Sequence, residues 1–501
     1  MLPESTGRAM GRACVHPDCR THRRLAVRIS NRVPARAVVG PRPASGVTKV
    51  SERTSSIKPA SSATRLPGAL PLLGHMLRFR NHLDLLTSMP AHGELVELRV
   101  GPARILMACT AELAHELLSN GERFDKGGQF FDRAKEVVGN SLTTCSHNEH
   151  RRQRRLVQPA FHRARMPGYA TQMSMEIATT FGAWRHGDTV DITAETNTLV
   201  AKILARTVFP HSVSPSALGR IIDDIDTLVA VAARRMVVPP ALHRIPTPGN
   251  RRYEAANRRL RDLMVRTANT ADRSANSDHG DDLLSILLST RDIGECLTHT
   301  EIVDQLLLFQ VAGIDTTATA LAWALYLVAT HPEVEQRLHA EVDDTLAGSH
   351  VATHKHLPGL QYTRQIVNET LRRYPPVWFL TRTAMTDTQL GTYVIPAGTT
   401  LAVSPYLLHH RPDLYPSPFR FDPDRWGSGK PPAGVYIPFG YGARRCIGEH
   451  FALTELILAL ASVAARWRLR LARADHRPRP RLAASLRPPQ LPMTVSRRTP
   501  D

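Results

Sequence analysis

Cysteine is scarce in this sequence, and the cysteines are not grouped. The chain of 501 residues contains six of them: Cys14, Cys19, Cys109, Cys145, Cys296 and Cys446. Iron–sulfur clusters need several thiolate ligands in closely spaced motifs, so this spacing excludes a cluster-based electron carrier. The segment from Cys14 to His22 contains residue types that zinc accepts as ligands, but their spacing is poor and we expect no zinc site.

Long apolar runs are also missing. Hydrophobic residues make up 42% of the chain, yet no stretch reaches the 18 or more uninterrupted apolar residues that indicate a membrane-spanning helix. We therefore expect no stable membrane anchor and a cytoplasmic protein. The length and apolar content are sufficient for one large core, and no internal repeat is visible.

Acidic residues are few relative to basic ones. The chain has 64 Lys/Arg against 45 Asp/Glu, a net charge of +19, and residues 1–65 alone hold 13 Lys/Arg against 3 Asp/Glu. This segment has no hydrophobic period, so we expect a basic disordered tail at 1–65 and one domain at 66–501. The tail is also similar to a transit peptide. Because half of the excess charge lies in it, we expect no nucleic-acid partner.

The first residue that indicates a catalytic or cofactor-binding function is Cys446, in the run Phe439-Gly-Tyr-Gly-Ala-Arg-Arg-Cys-Ile-Gly448. The glycines let the backbone approach a flat ligand closely, and amides that follow the cysteine can bond its sulfur. Arg444 and Arg445 favour a thiolate, while Phe439 can exclude water from it. The pattern predicts a thiolate that ligates an iron porphyrin; the alternative is a small buried cysteine in a glycine-rich loop.

A second candidate lies in one long helix, predicted over residues 298–329. It opens with a Thr298-x-x-Glu301 capping box and closes before Pro332. Its centre, Ala312-Gly-Ile-Asp-Thr-Thr317, contains residues that weaken a helix, which predicts a functional site. A threonine that bonds an earlier carbonyl bends a helix. A buried helix with one solvated aspartate is the alternative interpretation.

With these two motifs the chain resembles the cytochrome P450 superfamily of haem-thiolate monooxygenases. The resemblance implies a mainly α fold with small β-sheets, in which haem b lies between the long central helix and the cysteine loop. Cys446 would be the metal ligand. Gly313 and Thr316 would open a groove for dioxygen beside Ala312, and Asp315 and Thr316 would relay protons.

A third motif is Glu369-x-x-Arg372, followed by Tyr374-Pro-Pro376. Such a pair is common on helix surfaces and contributes little by itself. The resemblance adds Arg425, in Phe421-Asp-Pro-Asp-Arg-Trp426, and implies a buried structural triad of Glu369, Arg372 and Arg425 that fixes the approach to the cysteine.

Cofactor-binding residues are implied at further positions. His150 and Arg154 are four apart and share a helical face, which the resemblance assigns to a haem propionate. Arg382 and Arg444 would bind the propionates as well, and Phe439 and Gly448 would contact the cofactor. A basic solvated face is the alternative for residues 150–155.

The electrons must come from elsewhere, because no segment resembles a reductase. We expect a separate acidic ferredoxin and its ferredoxin reductase. Arg151, Arg152 and Arg155 are predicted to face outward, where positive charge would steer such a partner.

The expected substrate is an apolar small molecule, oxidised with one atom of O2. The segments that line the pocket in this family supply an apolar wall here: Phe130, Phe131, Val137, Val138, Leu308, Phe379, Leu380 and Leu491. Residues 234–252 and 378–382 are similar to soluble bacterial terpene-oxidising members, which implies a sesquiterpene and a role in secondary metabolism. Two alternatives remain open: a peroxide-using or non-oxygenating haem-thiolate enzyme, and a haem-binding sensor or nucleic-acid-binding protein.

The remaining pattern supports this fold class. The ordered chain is expected to begin at the Pro/Gly-rich segment 66–74, with strands at 94–100 and 103–108. Helical periodicity dominates residues 111–371. Strands are predicted again at 392–394 and 401–403 and in the segment 487–495.

Overall fold

The protein is mainly α-helical. The computed structural model describes residues 58–208, 215–235, 245–274, 282–292, 294–427, 429, 431–473, 475, 477–482 and 485–498. The α-helices in these residues are α1 His82–Ser88, α2 Ala111–Ser119, α3 Gln129–Val138, α4 His147–Val157, α5 Met166–Gly182, α6 Ile192–Val208, α7 Pro215–Arg235, α8 Pro248–Ser274, α9 Leu283–Ser289, α10 His299–Thr330, α11 Pro332–Leu346, α12 Gln361–Arg373, α13 Pro405–His409 and α14 Glu449–Arg466.

The strands are short. They are β1 Lys58–Pro59, β2 Thr64–Arg65, β3 Leu95–Val100, β4 Ala103–Ala108, β5 Phe124–Asp125, β6 Thr189–Asp191, β7 Leu380–Ala384, β8 Thr388–Leu390, β9 Tyr393–Ile395, β10 Thr400–Val403, β11 Trp467–Leu471, β12 Arg481–Leu482, β13 Leu486–Arg487 and β14 Pro492–Arg497. The largest sheet has the order β2-β3-β4-β10-β7-β5. Its last pairing, β5 antiparallel to β7, sets Asp125 opposite Thr383. The strands predicted at 94–100, 103–108, 392–394 and 401–403 all form.

The central helix α10 forms as the sequence predicts. Thr298 and Glu301 make the reciprocal capping box at its start, and the helix ends at Thr330, before Pro332. Nearly all of its residues are buried, and it packs against α6, α8 and α14. By length and apolar composition α10 could cross a membrane, but its apolar window lies mostly inside the protein, as in the core helix of a globular domain.

Two large apolar clusters make up most of the core of the described residues, and a third, small cluster consists of Ala111, Tyr415 and Val435. The larger one includes residues of the helices around α10, and the smaller one joins the largest sheet to α1, α2 and α13. The residues that follow α12 connect the two, because Tyr374 packs against both clusters. The mainly α fold with small sheets is therefore confirmed.

The folded unit starts earlier than the predicted boundary at residue 66. In β1, Lys58 pairs with Tyr393 of β9, and in β2, Thr64 pairs with Val96 of β3. These main-chain bonds attach residues 58–65 to two sheets, so they are not part of a tail. Residues 1–57 lie outside the described residues, and their disorder stays a prediction.

Candidate active site

The cysteine loop is fixed by close backbone contacts. Gly440 and Gly442 both have φ of +71°, a region that favours glycine. A Cβ on Gly442 would overlap the carbonyl oxygen of Leu118 at the end of α2. The amide of Cys446 donates to the carbonyl of Phe439 at 2.9 Å. The loop therefore returns on itself and presents Cys446 from a rigid turn.

The Cys446 sulfur has the surroundings of a metal ligand. Its side chain is accessible although the sulfur lies deep within the protein, so the thiol faces an interior space. Burial raises the pKa of the thiol, and this effect is opposed by a hydrogen bond from the Gly448 amide and by the charges of Arg154 and Lys126. The predicted hydrogen bond from a following amide is present.

The source of positive charge near Cys446 differs from the prediction. Arg445 is paired with Glu449 at 2.5 Å, and Arg444 is paired with Asp125 at 2.7 Å. Each neighbouring arginine is thus engaged by a carboxylate of its own. The cations that act on the sulfur come instead from α4 and from the residue that follows β5.

The residues of the predicted structural triad are brought together. Arg372 Nε donates to Glu369 Oε2 at 2.8 Å in a pair with no solvent exposure, and Arg425 Nε lies 3.4 Å from Glu369 Oε1. The amide of Asp422 and the indole of Trp426 also donate to Glu369. One buried carboxylate therefore organises the segment that precedes the cysteine loop.

His150 and Arg154, both on helix α4, have different surroundings. A capping box between Ser146 and Glu149 starts this helix. Burial, and then the charges of Arg444 and Lys126, lower the pKa of His150 to about 3, so the imidazole is neutral at pH 7. Arg154 Nη1 donates to the Arg445 carbonyl at 2.6 Å. Arg154 therefore supports the cysteine loop from the side.

A cluster of basic residues lies beside the loop: Lys126, His150, Arg382 and Arg444. Burial, and then the charge of Arg444, lower the pKa of Arg382 to about 10. Burial, and then the charges of Arg382 and Arg444, hold the pKa of Lys126 well below its usual range. Asp125 is the carboxylate paired within this group, so positive charge is in excess.

The cluster fits the two carboxylates of a haem. Arg444 Nε and the hydroxyls of Thr381 and Thr383 are buried polar atoms without a hydrogen-bond partner among the described residues. Arg382 donates only to the carbonyl of its neighbour Thr381, at 2.8 Å. Buried donors of this kind require acceptors, and propionate oxygens are acceptors of the right charge. The predicted propionate ligands Arg382 and Arg444 therefore lie together, and buried donors among and beside them have no acceptor in the described residues.

The sequence analysis missed Lys126 and Asp125. They lie in Phe124-Asp-Lys-Gly-Gly128, just after a two-residue strand. A charged pair before two glycines is an ordinary loop pattern, and no periodicity distinguishes it. Only the pairing of β5 with β7 brings Lys126 to the cation cluster, so no local signal could have identified it.

The centre of α10 is built around a side-chain hydrogen bond to the backbone. Thr316 Oγ1 donates to the Ala312 carbonyl at 2.7 Å, which is the bond that the sequence analysis expected. Ala312 is exposed within an otherwise buried helix. Phe309, one turn earlier, contacts the ring of Phe161, and Phe161 lies beside Gly448. These contacts place the middle of α10 next to the cysteine loop.

Gly313 has a packing role that was not predicted. A Cβ on this residue would lie 2.8 Å from Cδ1 of Leu204 in α6, the helix that packs most extensively against α10. Gly313 therefore permits close helix packing, and its part in a groove for dioxygen stays a prediction.

Asp315 is held in a buried ion pair that sequence reasoning also missed. Arg487 Nε donates to Asp315 Oδ1 at 2.8 Å, and Nη2 of the same arginine lies 2.8 Å from Asp226 Oδ1 in α7. Arg487, in β13, thus bridges the centre of α10 and α7. The carboxylate predicted to relay protons is occupied by a guanidinium in this arrangement.

The predicted pocket residues fall into two groups. Phe131, Val137, Val138, Leu308 and Leu491 are buried. Phe379 and Leu380 are partly buried beside the smaller core cluster, and Leu380 approaches Gly440 of the cysteine loop. The Phe130 side chain lies outside the described residues. All the described members are apolar, and their contact with substrate stays a prediction.

Two of the three arginines predicted to face outward are engaged within the chain. Arg152 donates to Glu301 at 2.6 Å and to the Cys296 carbonyl at 2.8 Å. Arg155 donates to Asp292 at 2.5 Å. Both attach α4 to the segment that leads into α10. Arg155 is exposed, as predicted, although it is ion-paired, whereas Arg152 is partly buried. Arg151 is exposed.

Comparison with known proteins agrees with this site. Residues 65–495 match the family model described as cytochrome P450. The chain is 42% identical over 419 residues to cyclooctat-9-en-7-ol 5-monooxygenase of Streptomyces melanosporofaciens, covering 81% of this chain and 89% of that relative. It is 40% identical over 441 residues to pentalenene oxygenase of Streptomyces avermitilis, covering 87% and 97%.

Solved structures agree as well. The haem domain of cytochrome P450DA has a TM-score of 0.78 at 26% identity, covering 89% of this chain and 99% of that chain. The residues matched by the family model, 65–495, include the cysteine loop, α10 and the Glu369 triad. This chain therefore belongs to the cytochrome P450 family and is a P450 monooxygenase.

Proposed function

We propose that this enzyme inserts one oxygen atom from O2 into a terpene, in the first instance a sesquiterpene, as a step of secondary metabolism. Two relatives at 40–42% identity are named for cyclooctat-9-en-7-ol and pentalenene oxidation. The apolar character of Phe131, Leu308, Phe379 and Leu380 supports a substrate that is held by shape and hydrophobic contact. The observation that carries the chemistry is the Cys446 sulfur with the Gly448 amide bonded to it.

The family carries a haem, and we propose that it is haem b, which the Cys446 sulfur would hold. When bound, this group supplies activation of dioxygen, assisted by electron density from the thiolate. The Gly448 amide and the rigid Gly442 turn hold the sulfur in position. Lys126, Arg382 and Arg444 offer cationic groups, and the neutral His150 offers a ring N–H, to the two propionates.

Thr316 and Asp315 are proposed to manage protons. The Thr316 hydroxyl donates to the Ala312 carbonyl, so its oxygen lone pairs remain available to accept a proton from another donor. Asp315 Oδ1 accepts from Arg487. Both contacts from Arg487 are to Oδ1, so Arg487 fixes the orientation of the carboxylate from which a proton would be delivered.

The electron donor is proposed to be a ferredoxin served by its own reductase. Arg151 is exposed on α4. Positive charge at this position would attract an acidic protein and make reduction slower as salt rises. We also propose that the enzyme acts in the cytoplasm.

The test is turnover with labelled oxygen. Purified enzyme, a ferredoxin, a ferredoxin reductase and NADPH are incubated with sesquiterpene hydrocarbons, pentalenene among them, under 18O2. One 18O atom per product is expected, with no product from Cys446→Ser. Product that forms only with hydrogen peroxide would favour the peroxide-using alternative. Binding of haem without oxidation of any terpene would overturn the substrate class.

Reduction kinetics test the partner separately. The rate of first-electron transfer is measured against ionic strength with wild type and Arg151→Gln. A slower rate at high salt, and a weaker salt dependence in the variant, are expected. Salt-independent reduction would remove the acidic ferredoxin from the proposal and leave the oxidation chemistry unaffected.

A further inference from the structure

Four leucines are exposed on one short segment near the start of the folded unit, residues 67–77, which we call the leucine turn. Residues 67–73 are all exposed. Leu72 is 93% exposed and Leu77 is 60% exposed, and Leu70 and Leu73 are exposed as well. Single exposed leucines are ordinary on a protein surface. A group of them in one place indicates a surface that contacts something else.

Main-chain hydrogen bonds hold the leucine turn in a fixed shape. Leu70 and Gly74 exchange both of their main-chain bonds, at 2.8 and 2.9 Å. The His75 amide donates to the Arg99 carbonyl at 2.8 Å, which attaches the turn to β3. The leucines are therefore presented on a framework that is already ordered, and contact with another surface need not pay to order the backbone.

Leu72 occupies a backbone conformation that leucine rarely adopts. Its φ is +61°, in the left-handed region where a side chain is strained and glycine is favoured. The side chain is almost fully exposed, so packing within the protein does not offset that strain. Residues kept in such conformations are found at functional sites. The fold itself gives no reason for a leucine here, which directs attention to a contact outside the chain.

Positive charge surrounds the leucine turn. Arg65, Arg99 and Arg104 are all exposed and share one buried carboxylate, that of Glu97, at 3.9, 2.9 and 2.7 Å. Three cations with one anion leave an excess of positive charge. Arg78, also exposed, donates to a carbonyl of the leucine turn at 2.7 Å, and a carbonyl does not neutralise it. The apolar tip is therefore bordered by cations.

We propose that the leucine turn and these four arginines form a surface that binds an anionic lipid bilayer peripherally and reversibly. The leucines enter the boundary between headgroups and acyl chains, and the guanidinium groups bind lipid phosphates. A bilayer matches this surface because it offers an apolar layer directly beneath a layer of negative charge. The contact would hold the enzyme at the phase in which an apolar substrate is concentrated. It requires neither the haem nor a particular substrate.

The experiment measures binding of the full-length, haem-loaded protein to lipid vesicles by co-sedimentation. Vesicles contain phosphatidylglycerol with phosphatidylethanolamine, or phosphatidylcholine alone. We expect binding to the anionic vesicles that weakens as salt rises, and little binding to phosphatidylcholine. Leu72→Ser should lower the partition coefficient roughly tenfold, because the apolar side chain no longer leaves water. Met175→Ser removes another exposed apolar side chain, on α5, and should bind as wild type does.

A second variant of the same residue separates lipid contact from folding. Leu72→Gly removes the side chain and also relieves the strained φ. It should unfold at no lower temperature than wild type and still bind anionic vesicles roughly tenfold more weakly.

The contribution of charge is tested with two equally exposed arginines. Arg65→Gln should weaken binding to anionic vesicles roughly fivefold. Arg473→Gln removes an arginine that is 77% exposed, against 78% for Arg65, and it should leave binding unchanged.

Two results would overturn the proposal. Equal binding by wild type, Leu72→Ser and Leu72→Gly would mean that basic residues elsewhere hold the vesicles. Absence of binding to either kind of vesicle would exclude a lipid partner, and an oligomer that Leu72→Ser dissociates in sedimentation velocity would then assign the leucine turn to a second copy of the chain. The assay contains neither terpene nor electron donor, so its failure and the failure of the proposed oxidation are distinguishable.

Discussion

Arg487 connects two carboxylates whose burial is very different, which allows one side chain to be tested against both. The Asp315 side chain is 5% exposed, while that of Asp226 is 44% exposed, and Arg487 itself is 23% exposed. Removing one partner of a fully buried ion pair costs about 3–5 kcal/mol, whereas an exposed pair contributes about 0–1 kcal/mol. The two halves of the bridge should therefore differ severalfold in their effect on stability.

Arg487→Gln leaves the buried Asp315 without its cation. Because Arg487 is partly exposed, water can replace some of the lost interaction, and we expect the free energy of unfolding to fall by about 2–3 kcal/mol. Asp226→Asn should lower it by less than about 1 kcal/mol. The double variant Asp315→Asn/Arg487→Gln should be more stable than the sum of the single effects, because it has no unpaired buried charge.

Urea unfolding of the haem-loaded proteins measures these differences, with slopes compared to confirm that the same surface is exposed. Equal losses for Arg487→Gln and Asp226→Asn would refute the reasoning from burial. Strict additivity of Asp315→Asn and Arg487→Gln would show that the two residues do not interact as the 2.8 Å contact requires. The same variants also report on proton delivery, since loosening this contact should change the fraction of reducing equivalents that reach product.

Three further predictions follow from the packing and protonation of the core. Gly442→Ala should reduce haem content strongly, because its Cβ would overlap the Leu118 carbonyl oxygen; a haem content like that of wild type, measured per protein, would contradict this. Gly313→Ala should cost about 1–3 kcal/mol through its clash with Leu204, and Leu204→Ala should recover part of it in thermal unfolding. Burial, and then the charge of Arg372, lower the pKa of His409 from 6.5 to about 3. Between these two pH values the unfolded chain binds a proton at His409 that the folded protein does not bind. This contribution to stability should be lost as pH falls from about 6.5 toward 3, at up to about 1.4 kcal/mol per pH unit, and His409→Gln should flatten the pH dependence of the urea midpoint.

The parts of the site that the sequence predicted are those with local signals. The capping box of α10, the hydrogen bond from Thr316 to Ala312 and the glycines around Cys446 all involve residues within a few positions of each other. The packing of Gly313 against Leu204 was not predicted, because Leu204 is on another helix and leaves no trace in the local pattern. Arg487 and Asp315 are separated by 172 positions, so their pairing depends entirely on how β13 returns to α10.

Closeness to Cys446 in sequence did not predict which cations act on its sulfur. Arg444 and Arg445 adjoin Cys446, yet each is paired with a carboxylate. Such pairing leaves little net charge to act on the sulfur. Lys126 and Arg154 are far from Cys446 in sequence, but they act on its thiol.

The physical reason is that adjacent side chains in a tight turn point apart, and each meets whatever element packs on its side. Arg444 points toward β5 and the start of α4, where it donates to Asp125 Oδ1. Lys126, which follows β5, and Arg154, on α4, are distant from Cys446 in sequence, and the fold brings them close to its sulfur. In this fold, carboxylates of the protein therefore pair with Arg444 and Arg445, and the cations that act on the Cys446 sulfur, Lys126 and Arg154, come from outside the motif around it.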